Sequence, residues 1–238
     1  DTGVRSTMIL EPALKQPLKL DIHGRAYVLG LGSEGIVEAE RSEYNHIQIG
    51  SLSLTDSASL LVLPENTLHL SSLLGFPVFG IIGYELFSRH PVSVSYSPPR
   101  VSIRSKSPRS RGRRRHVLPV ELDHGKPYVY ASTTRGHDSL RLLIDLGASQ
   151  AFYLNESLLP LAGSSIKSYL GTGLSGDLHG RLARLEQISL GELVFENPLV
   201  AFPDEGFLRF LGDNIQWDGL IGGGLLRRFE LTIDHPAR

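Results

Sequence analysis

The sequence predicts an all-β protein made of two pseudo-symmetric β-barrel lobes with a few short helices. Three observations lead there. The first is an internal repeat. Gly30-Leu31-Gly32-Ser33-Glu34-Gly35 and Gly171-Thr172-Gly173-Leu174-Ser175-Gly176 lie 141 residues apart, and Ile47–Leu52 and Ile188–Leu193 keep that offset without a gap. Gly80-Ile81-Ile82-Gly83 matches Gly219-Leu220-Ile221-Gly222 at offset 139, and Asp1-Thr2-Gly3 matches Asp145-Leu146-Gly147 at offset 144. Four blocks in one order, with offsets that drift by a few residues, are hard to produce by chance. The second observation is period-two alternation of apolar and polar residues, which suits half-buried strands. The third is the placing of glycines between such runs, where tight turns are needed.

Taken along the chain, Ile47-Gln48-Ile49 and Leu52-Ser53-Leu54 alternate on either side of Gly50, as Val92–Tyr96 and Leu231–Ile233 do further on. Helical candidates are short: Thr67–Leu74 and the segments after Gly83 and Gly222. Regularly spaced strands with glycine turns favour a barrel or sandwich over a parallel α/β sheet. The boundaries read as a first lobe over 1–100, a basic linker over 101–116 and a second lobe over 117–238. Pro98-Pro99 and then Arg109, Arg111, Arg113, Arg114 and Arg115 mark that connection. It reads as a solvated, self-repelling loop, because no aromatics interleave with the arginines as a nucleic-acid surface would require. Val117–Arg141 carries strand material that has no counterpart before Asp1, so the first lobe is expected to lack its opening strands and the chain to be a piece of a longer one.

Composition narrows the function. Hydrophobic residues at 41% and charged residues at 21% are ordinary for a globular chain. Lys+Arg (24) nearly cancels Asp+Glu (25), so overall charge directs the protein to neither nucleic acid nor membrane. Apolar runs such as Leu60–Leu63 are strand-sized, well short of the roughly 20 residues that span a bilayer. The absence of cysteine removes disulfides, thiol catalysis and Cys-ligated zinc together, and leaves the compartment open. The nine histidines, among them His46, His69 and His179, show no metal-type spacing, so neither a metal nor a cofactor is expected. No Gly-x-Ser-x-Gly context surrounds any serine, which argues against a serine hydrolase. Trp217 is expected in the core or lining the cleft near the second lobe.

Each half supplies an Asp-x-Gly turn, and Leu142-Leu143-Ile144 leads into the second as an apolar strand. If two such turns meet at a pseudo-twofold axis, Asp1 and Asp145 approach closely. Like charges that close cannot both ionise, so the pair shares a proton. The neutral member can act as an acid while the charged one acts as a base toward water.

These residues resemble the aspartic peptidases of the pepsin and retropepsin type, and look most like bacterial retropepsin-like proteins that carry two such units in one chain. Asp1-Thr2-Gly3 looks like the family signature, and Ile144-Asp145-Leu146-Gly147-Ala148-Ser149 resembles it with one change. The resemblance implies catalytic Asp1 and Asp145, supported by Thr2, Gly3, Gly147 and Ser149. It also implies Gly83 and Gly222 packed behind the catalytic turns. Gly32, Ser33, Gly35, Gly173, Leu174 and Gly176 would form glycine-rich flap tips over the substrate. It implies an acid-protease-like fold, a peptide or protein substrate, a two-lobed monomer and a periplasmic or secreted location. Two departures stand out. Leu146 lacks the hydroxyl that the family's threonine uses to bond across to the opposite turn. Val4-Arg5 replaces small residues of the kind that Ala148-Ser149 keeps, and Arg5 either lowers the nearby aspartate's pKa or points outward without effect. Two functions follow: an aspartic endopeptidase, or a catalytically impaired pseudo-peptidase that binds peptides or a partner protein.

Overall fold

The structure, a computed structural model, describes residues 1–30, 32, 35–106, 116–134, 139–161, 163–204 and 217–235. Strands dominate. In the first half β1 (Met8–Ile9), β2 (Ile22–Leu29), β3 (Ile36–Ile49), β4 (Leu52–Val62) and β5 (Gly80–Ile81) form one sheet, in the order β2-β3-β4-β1-β5. β1 runs parallel to β4 and antiparallel to β5. Two short helices follow, α1 (Leu70–Leu74) and α2 (Tyr84–Arg89). The predicted helix from Thr67 begins three residues late because His69 takes a left-handed backbone (φ 46°), which a helical turn cannot include.

The second half contains β8 (Glu121–Asp123), β9 (Lys126–Thr133), β10 (Leu140–Ile144), β11 (Phe152–Leu154), β12 (Ser165–Gly173) and β13 (Gly176–Arg184). It continues with β14 (Gln187–Leu190), β15 (Leu193–Glu196), β16 (Leu199–Pro203), β17 (Gly219–Ile221) and the helical turn α3 (Gly223–Leu226). The sheet order is β12-β13-β16-β11-β17-β10-β9-β14-β15. Its first five positions correspond one for one to the sheet of the first half. The long hairpin β3–β4 around Gly50 matches two pieces in the second half, where the β14–β15 hairpin around Gly191 folds away and pairs with β9. Among the described residues no first-half strand takes the place of β9, and β3 and β4 run on as one ribbon.

A third sheet joins the halves. β6 (Val92–Tyr96) lies between β7 (Pro99–Ile103) and the last strand β18 (Leu231–Ile233). Ser93 faces Thr232 in the antiparallel β6–β18 pair, and their hydroxyls meet at 2.9 Å. These two residues are 139 apart, the offset that relates Gly80 to Gly219. An antiparallel pair in which a residue faces its own equivalent lies on a twofold axis, so the pseudo-twofold passes between Ser93 and Thr232. β7 also shows that Val101, Ser102 and Ile103, assigned to the linker from sequence, are strand residues held by β6. The arginines from Arg109 to Arg115 lie outside the described residues.

The core sits where strands are covered on both faces. Along β10, Leu142 enters one cluster with Phe152, Leu154, Ile188, Val200 and Phe202. Its neighbour Leu143 enters a second with Tyr128, Tyr153, Ala201, Leu220 and the expected core residue Trp217. A central strand buried on both sides reads as a continuous apolar run, as Leu142-Leu143-Ile144 does. A further cluster spans the halves, with Leu54, Leu86, Phe87 and Val92 meeting Ile233 and Leu146.

Deleting side-chain volume at the heart of β10 should therefore be costly. Leu142→Ala, at a fully buried position, should destabilise the protein by about 2–5 kcal/mol. Val194→Ala, on the exposed face of β15, should change stability by less than about 1 kcal/mol. Urea denaturation of the two variants, read against the parent chain, is the check. Equal effects would contradict this placing of the core.

Candidate active site

The site begins with the register of β10. This strand runs parallel to β17, with Ile144 beside Ile221, so the chain reaches Asp145 where the two strands end. The Asp145 N–H donates to the Ile221 carbonyl at 2.9 Å, and the Asp1 nitrogen donates to Ile82 at 2.7 Å in the same way. Each turn then holds its own carboxylate: Gly3 N–H donates to Asp1 Oδ1 and Gly147 N–H to Asp145 Oδ1, both at 2.8 Å. The two turns are thus built alike.

They also cross. A Cβ added to Gly3 would lie 2.6 Å from the Asp145 Cγ and Oδ2, and one added to Gly147 would overlap Asp1 Oδ2. A side chain at either position would push the facing carboxylate aside, so the glycines let the carboxylates face each other across the paired turns. Thr2 ties the crossing together. It is buried, and its hydroxyl donates to the Ile144 carbonyl at 2.7 Å while accepting from the Leu146 N–H at 3.2 Å. The reciprocal pair is missing, because Leu146 has no hydroxyl and packs its side chain among Leu54, Leu86 and Phe87 instead.

Asp145 touches the solvent of the cleft on one side and is enclosed by protein on the others. Burial raises its pKa above the usual aspartate range, against the Gly147 N–H and the charge of Lys126, which both favour the anion. Lys126, the first residue of β9, has its own pKa lowered, first by burial and further by Arg5, while Asp145 pulls the other way.

Behind the turns the halves again correspond. Tyr84 N–H donates to the Val4 carbonyl at 3.2 Å and Gly223 N–H to the Ala148 carbonyl at 2.7 Å, which seats Gly83 and Gly222 against the two turns. The first half adds a polar brace that sequence reasoning missed. Gly83 N–H donates to the Thr7 hydroxyl at 3.1 Å, and that hydroxyl donates to Glu85 at 2.8 Å. Glu85 stands at offset 139 from Gly224, so the break in the repeat at that position was the available signal. On the other side, the Ser149 hydroxyl meets Tyr153 Oη at 3.2 Å. Tyr153 was also missed, because it reads as one more core aromatic.

A cavity of about 1700 Å³ opens beside the two aspartates and is bordered by both glycine-rich hairpin tips. In the first tip Gly30 N–H donates to the Gly35 carbonyl at 3.0 Å, and in the second Gly173 pairs with Gly176. Ser33 lies outside the described residues. The tips touch: the backbone of Gly32 lies against Ser175, and the Ser175 hydroxyl donates to the Gly30 carbonyl at 3.0 Å. Leu174 reaches further than a flap tip was expected to. It packs with Met8, Leu10, Ala39 and Leu63 of the first half, and Thr67 donates to its carbonyl at 2.9 Å. An apolar side chain at the tip gains more from that cluster than from water.

No family model matches the chain, and no curated protein matches it. Among solved structures it is similar to a retropepsin-like aspartic protease from Rickettsia conorii, at 18% identity and a TM-score of 0.32. That match covers 48% of this chain and 88% of the other. A likeness so distant carries no weight for function beside the geometry of the two turns.

Two measurements probe this geometry. Thr2→Val keeps the shape but orphans the Leu146 N–H, so it should destabilise the chain by about 1–3 kcal/mol, and Thr2→Ser should recover most of the loss. The raised pKa of Asp145 fixes a sign for the second. A carboxyl whose folded pKa exceeds its unfolded value costs nothing below the unfolded value, where both states are protonated. The penalty grows as pH rises from the unfolded value to the folded one and is complete above it. Asp145→Asn should therefore gain stability relative to the parent as pH rises from about 3 to 7. A difference that stays flat or shrinks would contradict the burial of this group.

Proposed function

We propose that this chain is an aspartic endopeptidase that hydrolyses peptide bonds with a water held between Asp1 and Asp145. The observation that carries the reading is the crossing of the two Asp-x-Gly turns, which brings two carboxylates together beside a cleft under paired hairpin tips. The ionised carboxylate takes a proton from the water as the water oxygen bonds to the substrate carbonyl carbon. The neutral carboxyl gives its proton to the carbonyl oxygen, and a tetrahedral diol forms. As the diol collapses, the carboxyl that took the water's proton passes it to the leaving nitrogen and the C–N bond breaks. The other carboxylate takes a proton from a diol hydroxyl as the C=O bond re-forms, so the pair again shares one proton. Thr2 fixes the relative position of the turns, Gly83 and Gly222 back them, Ser149, Gly173 and Leu174 border the substrate, and Gly32, Gly35 and Gly176 complete the touching tips.

One observation favours the second reading, a peptide-binding relative without turnover. Leu146 leaves the crossing bonded from one side only.

Hydrolysis of an unfolded protein or quenched peptide across pH decides between them. The parent should show a bell-shaped profile bounded by the two macroscopic pKa values of the pair. The raised pKa of Asp145 should carry the upper limb above the usual carboxylate range, because the acid must still hold its proton there. Asp1→Asn and Asp145→Asn should each lower turnover by about 100-fold or more, and Leu146→Thr should raise it. Turnover that survives both Asn substitutions would remove the mechanism. Peptide binding without any cleavage by the parent would establish the second reading.

A further inference from the structure

The charges of the cleft do not balance side by side. Of its acidic groups other than Asp1 and Asp145, Glu43 is paired with Arg41 at 2.9 Å, and Asp123 with Arg141 at 3.0 Å and His124 at 2.6 Å. Arg5 and Lys126 are different. Both border the cleft, and among the described residues neither forms an ion pair with an aspartate or glutamate. They come from opposite halves: Arg5 lies just past the first Asp-x-Gly turn and is exposed, and Lys126 opens β9 and is half-buried. Both line the same cavity as Asp145, and there the charge of Arg5 works against that of Lys126 while Asp145 favours it. A carboxylate pair that shares one proton carries a single negative charge. The side chains of Arg5 and Lys126 exceed it by one, so the side chains of the cleft beside the two turns carry an excess of positive charge.

We propose that Arg5 and Lys126 together form a subsite that takes a substrate carboxylate next to the bond to be cut, and so select acidic peptides. The proposal rests on the reading of the cleft as a peptide site. An anion between the two cations replaces their repulsion by two attractions, and its partial enclosure limits screening by water and salt. The carboxylate has two possible sources, an aspartate or glutamate side chain or the free C-terminus of a peptide, and both present the same group. Lys126→Arg keeps the charge, whereas Lys126→Gln and Arg5→Gln remove it.

Binding of matched peptides to the full 238-residue chain, followed by fluorescence anisotropy, separates the sources and does not depend on turnover. One peptide carries an internal Glu with both ends capped, a second carries Gln in its place, and a third carries Gln with a free C-terminus. The first or the third should bind about tenfold more tightly than the second, with the favoured one identifying the source. That preference should shrink to about twofold in Lys126→Gln and in Arg5→Gln, return in Lys126→Arg, and fade in about 1 M salt. Equal binding of all three peptides would overturn the proposal, as would a preference unchanged in both Gln variants. A charge preference without cleavage would count against the peptidase and leave this subsite standing, and uncharged peptides cut as readily as acidic ones would do the reverse.

Discussion

The structure depends on one interaction between the halves: the hydroxyl of Thr2 lodged between the Ile144 carbonyl and the Leu146 N–H. The Ile144 carbonyl ends β10, the Leu146 N–H lies in the turn just past it, and that one hydroxyl bonds both. A single buried side chain thus satisfies a donor and an acceptor more than 140 residues away in sequence. It also holds the turns close enough that a side chain at Gly3 or Gly147 would displace the facing carboxylate. The layers behind follow from this. Gly83 and Gly222 admit the backbones of the two turns, and the β6–β18 pair places the pseudo-twofold axis between Ser93 and Thr232.

The correspondence of the halves is close in the backbone and loose in the side chains, and the chemistry lies in the differences. Thr2 and Leu146 occupy equivalent places, yet one bonds across the axis and the other joins the apolar cluster beneath it. Glu85 braces the first turn through Thr7, whereas the equivalent Gly224 lies tight against the chain at Ala151. Lys126 stands beside Asp145, and its charge opposes the burial that raises that carboxyl's pKa. The two aspartates therefore sit in unequal surroundings. Unequal surroundings are what let paired carboxyls take different roles.

Much of this was legible in the sequence because it lies in local patterns. The Asp-x-Gly turns, the hydrophobic-hydrophobic-Gly blocks and the glycine-rich tips need particular residues at particular spacings, and repetition made them visible. What stayed hidden depends on tertiary contacts. The sequence does not mark that Leu174 crosses into the cluster of Met8 and Leu63, because an apolar residue in a glycine loop has no preferred partner until both hairpins exist. The late start of α1 at Leu70 turns on the backbone of one residue, His69. Lys126 resembles any strand-end lysine, and only the pairing of β9 with β10 brings it to Asp145.

The central claim is that Asp1 and Asp145 titrate as a pair. Carbon-13 NMR of chains labelled at the aspartate carboxyl carbons tests it directly, with Asp145→Asn used to assign the signal. The claim predicts that Asp145 titrates above the usual aspartate range of about 4 and that Asp1→Asn moves its midpoint down, because a neighbouring negative charge has been removed. An Asp145 signal that titrates at the ordinary value and is indifferent to the loss of Asp1 would contradict it.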